Sequence, residues 1–527
     1  MRAGVGSRLL ALTGLVGFSL TLGAAPSAHA LGSSCSPGSP ETNLAQNGFT
    51  CPVQLPSSGG LGEPTLIADD GAGNAGVPRL FVTAPQGVGN VQTAGGSPLY
   101  TSTDAGATWS GPVRSQECTG LSGGDTDLAV DASDNVYQTD LWLGNSCLSV
   151  SEDHGGSFTA GDPYGQQLQP GDDRPWLAYD GTIANGGELF GVYDGFNGLH
   201  IANTGPLVSP ALGIQSVSDN VVIPESAVSG GATPSASVRQ CVCPPGGVTV
   251  DNSNGTHRGR VYVSFSDANG LRVAYDDPDL AGTTPSGTWT YTAINDASSG
   301  SAFQDEWNFA PITVDPNGTV YVMWAHAAAF ASSTAGAGGV QEYYAYSKDG
   351  GATFSTPVLL SAEDGTGGSG GTTTFPTMHV VSPGVIDAAW YGTSSTGDPN
   401  QVPSTATWNV YYARVTAADT ATPSVSAPEV AVADMHNGCI QTGGGASCSD
   451  RSLLDFFTVT DASGQPNIIY TAGDVTNGAN LYFTNLTTVP ASLPEAPVTV
   501  LLVLAGALIV GVVFVRSERK SRRLQPR

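Results

Sequence analysis

The chain has 527 residues, of which only 12% are charged, with 70 Gly, 35 Pro and a net charge of −27. So acidic a surface repels nucleic acid and anionic lipid at range. No stretch of the exported part reads as an amphipathic helix, and Val, Thr, Tyr and Trp instead fall in short alternating runs punctuated by Asp, Asn, Gly and Pro, which is an all-β composition.

Residues 1–30 begin with Arg2 and Arg8, continue into the apolar run "LLALTGLVGFSLTLGAA" and end in "SAHA". This predicts a signal peptide cleaved after Ala30, followed by an N-terminal extension over 31–60. At the other end, a linker over 491–497 leads into "VTVLLVLAGALIVGVVFV", an uncharged run at 498–515. The basic stretch 516–527 follows at once, so the pattern predicts a single transmembrane helix with a cytoplasmic tail. The expected location is the cell surface, with the body of the chain outside. Between the two ends remain ten basic and 44 acidic residues, and Lys348 is the only Lys among them. All eight Cys lie there, an even count that fits disulfides in an oxidising compartment. Nearest-neighbour pairing would join Cys35–Cys51, Cys118–Cys147, Cys241–Cys243 and Cys439–Cys448.

Residues 61–490 repeat one grammar seven times: a short apolar strand, a turn rich in Asp, Asn or Gly, a second strand, then a third with alternating aromatics. Examples are "TDLAVDASDNVYQTDLW" with "CLSVSED", and "APITVDPNGTVYVMWAHA" with "EYYAYSKD". Repeats of this kind, spaced by about sixty residues, predict a β-propeller of six to eight blades, seven by this count. "DASDN", "DPNG" and "DNSNG" sit between two strands, which makes them hairpin turns rather than calcium loops.

Three third strands run into Ser-x-Asp-x-Gly-x-(Ser/Thr)-aromatic: "STDAGATW", "SEDHGGSF" and "SKDGGATF". Asp104, Asp153 and Asp349 can bond their own backbone two residues on, Gly106, Gly155 and Gly351 can take positive φ, and Trp109, Phe158 and Phe354 anchor the return. The motif is therefore sufficient as a turn. With these boxes in register with the blades, the chain resembles the sialidase superfamily of Asp-box (BNR) propellers. "DDRPWLAYD" at 172–180 and "SDRSLLDFF" at 449–457 are similar to blade-opening and closing motifs of its secreted actinobacterial branch. The resemblance implies recognition of glycans at a central funnel and hydrolysis of exo-α-sialidase type.

In a propeller the first strand of each blade lines the channel, so residues just before those strands gather at one mouth. They include Glu63; Asp125 and Asp127; Asp172, Asp173 and Arg174; Asp305, Glu306 and Trp307; and Asp450, Arg451 and Asp455. Glycoside hydrolysis needs paired carboxyl groups, for which Asp173, Asp305 and Glu306 are the catalytic candidates. Substrate would be held by Arg174 and Arg451, whose planar forks suit a carboxylate, together with Asp127 and the Trp307 ring. Ca2+ is the one cofactor the clustered oxygens would suit, with no ligand set assigned. The alternative is a non-catalytic scaffold whose arginines only neutralise their acidic neighbours, presenting its faces to protein partners. The expected chain is a monomer that binds a glycan or glycoconjugate, not nucleic acid. His326 and His379 are expected to pack within strands, and Trp176, Trp324 and Trp390 to form blade core.

Overall fold

The computed structural model describes residues 48–71, 77–86, 96–115, 122–142, 145–158, 160–162, 173–183, 186–195, 198–207, 218–224, 246–267, 270–277, 289–294, 310–327, 339–361, 371–442, 448–474 and 478–486. The expected signal peptide, transmembrane helix and basic tail lie outside them. No helix among the described residues is long and apolar enough to cross a membrane.

Seven antiparallel sheets follow one another along the chain. Their first strands are Thr65–Asp69, Ser122–Val130, Asp173–Asp180, Gly247–Val250, Ile312–Val314, Thr372–Ser382 and Thr458–Ala462. Each first strand packs on the first strand of the next sheet, and the seventh packs on the first, so the sheets close into a seven-bladed propeller. The closure is made by the chain itself. Val53–Gln54 is the outer strand of the last blade, paired with Gly478–Asn485 in the register Val53↔Phe483. Part of the stretch expected to be an extension is thus a component of the ring, and every strand among the described residues lies between Val53 and Asn485. A fragment spanning 31–490 therefore carries all seven described sheets.

The alternating third strands found in the sequence are the third strands of all seven blades. The apolar positions they alternate with pack between blades rather than within one. Each of the seven interfaces has its own cluster: Trp176, Phe190 and Ile201 of the third blade meet Val250, Val263 and Trp289 of the fourth, for example. Tyr137, Tyr193, Tyr262, Tyr321, Tyr391 and Tyr470, from the second strands, are fully buried in this layer. Radial repetition hides the sheet faces and leaves only short outer edges, which is how the architecture manages unpaired strand edges.

The Ser-x-Asp-x-Gly turns form as hairpins with one difference from the expected bonding. Asp104 accepts from the Thr108 amide and hydroxyl at 2.8 and 2.6 Å, four residues on rather than two. It is Ser102 that reaches the glycine, its hydroxyl accepting from Gly106 N at 2.8 Å. The pattern repeats at Asp153 with Ser157 and at Asp349 with Thr353. Each box glycine abuts the preceding blade: Gly106 meets Phe483, Gly155 meets Thr101, and Gly351 meets Tyr275 and Tyr262. The turn therefore also joins blades.

The turn at Asp131 is held by that carboxylate accepting from Ser133 N, Asn135 N and the Tyr137 hydroxyl, and Asp315 does the same for Asn317 N, Thr319 N and Tyr321. These loops are hairpins, as expected. Cys439 and Cys448 are disulfide-bonded, in the expected pairing. Cys51 and Cys147 are disulfide-bonded as well, while Cys35, Cys118, Cys241 and Cys243 lie outside the described residues.

Candidate functional site

The first strands surround an axial cavity of about 450 Å3. It is lined by Thr65, Asp127, Trp176, Thr313, Thr377 and Phe456, among others. Hydrogen bonds stitch the strands together around it: Thr458 Oγ1 to Pro64 O at 2.9 Å, Leu177 N to Asp127 Oδ2 at 2.8 Å, and Val459 N to Thr377 Oγ1 at 3.1 Å. Within this range of volume, a mixed polar and aromatic wall is what small-ligand sites present.

One mouth is built by an unusual backbone. Glu63, Arg174 and Phe375 all have positive φ, at 50°, 58° and 57°, and each is followed by proline. A bulky residue pays about 1–2 kcal/mol for the left-handed region, and a following proline favours extended backbone instead. The register of the first and second strands shifts across Arg174–Pro175 and across Phe375–Pro376, so both are β-bulges. Bulges re-aim a side chain at the rim of a sheet. Here the Arg174 side chain reaches Asp455, which precedes the first strand of the seventh blade. Leu454, directly before Asp455, has φ 59° and belongs to the same set of strained rim positions.

The charged side chains meet there. Arg174 Nη2 donates to Asp455 Oδ2 at 2.6 Å, and Arg451 grips both oxygens of the same carboxylate at 2.6 Å each. Arg451 also lies 3.9 Å from Glu63. Burial pushes Asp455 up, but the hydrogen bond from Arg451 and the charge of Arg174 outweigh it and hold the carboxyl below its usual range. Burial pulls the Arg174 guanidinium down, yet Asp125, Asp455, Glu63 and Asp173 together keep it above its ordinary value. Glu63, only 2% exposed, is pushed well above the usual carboxylate range by burial and then by Asp125 and Asp455. Asp173, at the solvent edge, is raised to about 6 by desolvation and by its Asp125 neighbour, with which it shares a hydrogen bond. Asp127, on the cavity wall, is raised to about 7 by burial against the pull of the Leu177 and Leu128 amides and Thr65.

Of the residues expected from the sequence, Asp173, Arg174 and Arg451 come together, with Asp127 further into the cavity. Asp305, Glu306 and Trp307 lie outside the described residues, as does Asp172. Both arginines are bound to Asp455, which the sequence had placed at the mouth without a role. The wall also holds Phe456, whose ring packs edge-on against Trp176 with centroids 5.0 Å apart. The rings were not expected to meet, because they are 280 residues apart; the only hint was that both directly enter a first strand. Trp324 and Trp390 are fully buried blade core, and Trp176 packs in the core between the third and fourth blades while also lining the cavity. His326 is buried with its ring edge-on to Tyr343, but His379 differs from expectation in lining the cavity. Its pKa is lowered by burial against the opposing charges of Asp387 and Asp70. No three His, Cys, Asp or Glu side chains among the described residues converge in a way that would hold a metal ion.

The raised value of Asp127 has a measurable consequence. The native carboxyl keeps its proton up to about pH 7, whereas the unfolded chain releases it near the ordinary aspartate value of 3.8. The folded state therefore binds the extra proton in that window, and stability falls as pH rises through it, by about 1.4 kcal/mol per pH unit for one full proton. Asp127→Asn should remove this slope: compared with wild type, the variant gains thermal stability between pH 4 and pH 8. A wild-type-to-variant difference that is flat with pH would show that Asp127 is ionised in the native protein.

No family model matches the chain, and no curated protein does. Among solved structures it is similar to the intramolecular trans-sialidase from Ruminococcus gnavus, with 13% identity, coverage of 81% of this chain and 94% of that one, and a TM-score of 0.39. A protein of unknown function from Dyadobacter fermentans is similar at 13% identity over 83% of this chain and 98% of that one, TM-score 0.38. The NanB sialidase from Streptococcus pneumoniae is similar at 11% identity over 83% of this chain and 70% of that one, TM-score 0.37. The propeller itself is established by the closed ring of seven sheets.

Proposed function

We propose that the protein is a glycan-recognising propeller of the sialidase-like superfamily, from its secreted actinobacterial branch. It is held outside the cell by the 498–515 span after removal of residues 1–30, and acts as a monomer. The observation that carries the reading is the axial cavity, whose wall sets the Trp176 and Phe456 rings beside the Asp127 carboxyl. Paired carboxyls accept and donate hydrogen bonds to sugar hydroxyls, while aromatic faces cover the apolar side of a pyranose. A carboxyl held protonated to about pH 6 is also equipped to protonate a leaving glycosidic oxygen. Asp173 is thus the general acid of the proposed hydrolysis, and Arg174 positions it. Asp305, Glu306 and Trp307 remain part of the proposed site, with Arg451 at its edge.

The test is a screen of the 31–490 fragment on a glycan array and on fluorogenic glycosides, with and without chelator. Turnover should fall by about 10²–10⁴ in Asp173→Asn with glycan binding retained, the range of a general acid's contribution. Full activity in Asp173→Asn would remove the catalytic role, and no binding on any glycan would remove the glycan reading. The second reading is the scaffold, and one observation favours it: both oxygens of the Asp455 carboxylate are already held by Arg174 and Arg451 without a ligand. Under that reading neither glycan binding nor turnover appears, and a protein is captured instead.

A further inference from the structure

Among the described residues, the wall of the axial cavity carries neither Lys nor Arg, and its only titratable side chains are Asp127 and His379. The two guanidiniums of the mouth stand outside that lining and are held on the Asp455 carboxylate. Burial raises Asp127 to about 7 and lowers His379, so near pH 6.5 both are mainly uncharged. The rest of the wall is mainly aliphatic, as at Leu66, Leu128, Ile312 and Met378, with threonine hydroxyls set among these side chains from the first, fifth, sixth and seventh blades. A hydroxyl offers one donor and two acceptor positions. Thr377 accepts from Val459 N and Thr458 donates to Pro64 O, so each keeps capacity for a ligand. An ionised group entering this cavity gives up water and gains no counter-charge, which is costly, whereas a neutral hydroxyl finds partners.

We propose that the axial cavity receives the uncharged end of a glycan, a neutral hexose, and excludes sialic and uronic acids. The inference rests on the glycan reading and narrows it to a substrate class. It departs from the sialic acid that the resemblance to sialidases implies. At about 450 Å3 the cavity lies toward the small end of ligand pockets, so it holds the end of a glycan and not a length of it. The apolar side of the hexose ring lies against the Trp176–Phe456 pair, and its hydroxyls turn to the threonines. A uronic acid brings the same ring with a carboxylate in place of one alcohol, so the unmatched charge alone decides against it. Selectivity of this kind comes from a penalty on the wrong ligand as much as from attraction for the right one.

The experiment is a saturation-transfer NMR titration of the full-length protein, kept in a detergent without a sugar headgroup, with matched pairs of ligands. The pairs are the methyl glycosides of galactose, glucose and mannose against those of the corresponding uronic acids, with a methyl sialoside alongside. A hexoside should bind at least about tenfold more tightly than its uronic acid, the scale of one buried charge left unpaired. The methyl ester of that uronic acid, neutral again, should recover most of the loss. Equal or tighter binding of a uronic acid or of the sialoside overturns the inference and leaves the glycan reading standing. Gly247→Val tests the place. Gly247 lines the cavity outside the left-handed region, and a Cβ there would meet Ile312 at 3.6 Å, an ordinary contact. The branched side chain narrows the cavity within a strand, so hexoside affinity should fall at least about tenfold with the melting curve unchanged. Unchanged affinity would put the sugar elsewhere and overturn the cavity as its site; should the variant melt early, the matched pairs on wild type decide alone. Binding of no sugar in either form removes the glycan reading, and this inference with it.

Discussion

Arg174→Ala should destabilise the propeller by about 3–5 kcal/mol at pH 8, the cost of removing one partner from a buried ion network. The guanidinium is 12% exposed and holds an Asp455 carboxylate that is 1% exposed, with Glu63, Asp125 and Asp173 leaning on the same charge. Arg451 remains to pair with Asp455, but it is more exposed and cannot offset the other acids. The sign with pH is specific. Near pH 5 Asp173, raised to about 6, is mostly protonated, and burial favours the neutral form of Glu63, so less counter-charge is needed and the loss shrinks there. Calorimetric melting of wild type and variant at pH 5 and pH 8 measures this directly. An equal loss at both values would mean that Arg174 acts by packing and not by charge. The double variant Arg174→Ala/Asp455→Ala should recover part of the loss, because the acid left behind is then absent.

Gly106→Ala is expected to cost about 2–5 kcal/mol, the sum of a left-handed residue gaining a side chain and an overpacked contact. A Cβ at this position, with φ +84°, would lie 1.9 Å from the Phe483 ring. Phe483 cannot retreat easily. It is fully buried, packs against Trp109 at 5.2 Å, and pairs with Val53 in the strand that closes the ring. Denaturant unfolding should show the drop, and a Phe483→Ala background should blunt it by making room. The comparison with Gly351→Ala is informative, since its Cβ would meet Tyr275 at 3.1 Å and the expected loss is smaller. Equal losses at both positions would show that backbone strain alone sets the cost.

The two residues also divide what could be read from the chain. Gly106 belongs to a motif whose turn is local: Ser102, Asp104, Gly106 and Thr108 bond within seven residues, so their spacing alone specifies the hairpin. The repeat of strand, turn, strand and aromatic third strand is equally local, because a period of two settles which face is apolar. That is why seven blades could be counted, and why Asp131 and Asp315 could be assigned to turns. The placement of Glu63, Arg174, Arg451 and Asp455 at one mouth followed from the same counting, since equivalent positions in radial repeats converge.

What the side chains do once there was not legible. The Arg174–Asp455 bond joins residues 281 positions apart and depends on two left-handed residues, Arg174 and Leu454, whose conformations no local propensity favours. The meeting of Trp176 with Phe456 is of the same kind. Membership of Val53–Gln54 in the last blade is decided by ring closure, a contact across more than 400 residues. By itself the sequence determined the elements, their number and the gathering of acids at one end, because hydrophobic period and turn chemistry act over a few residues. Only the tertiary structure decided that Asp455 would take both arginines and that Glu63 would be buried beside them. Charge pairing in a buried site depends on orientations that the whole ring imposes.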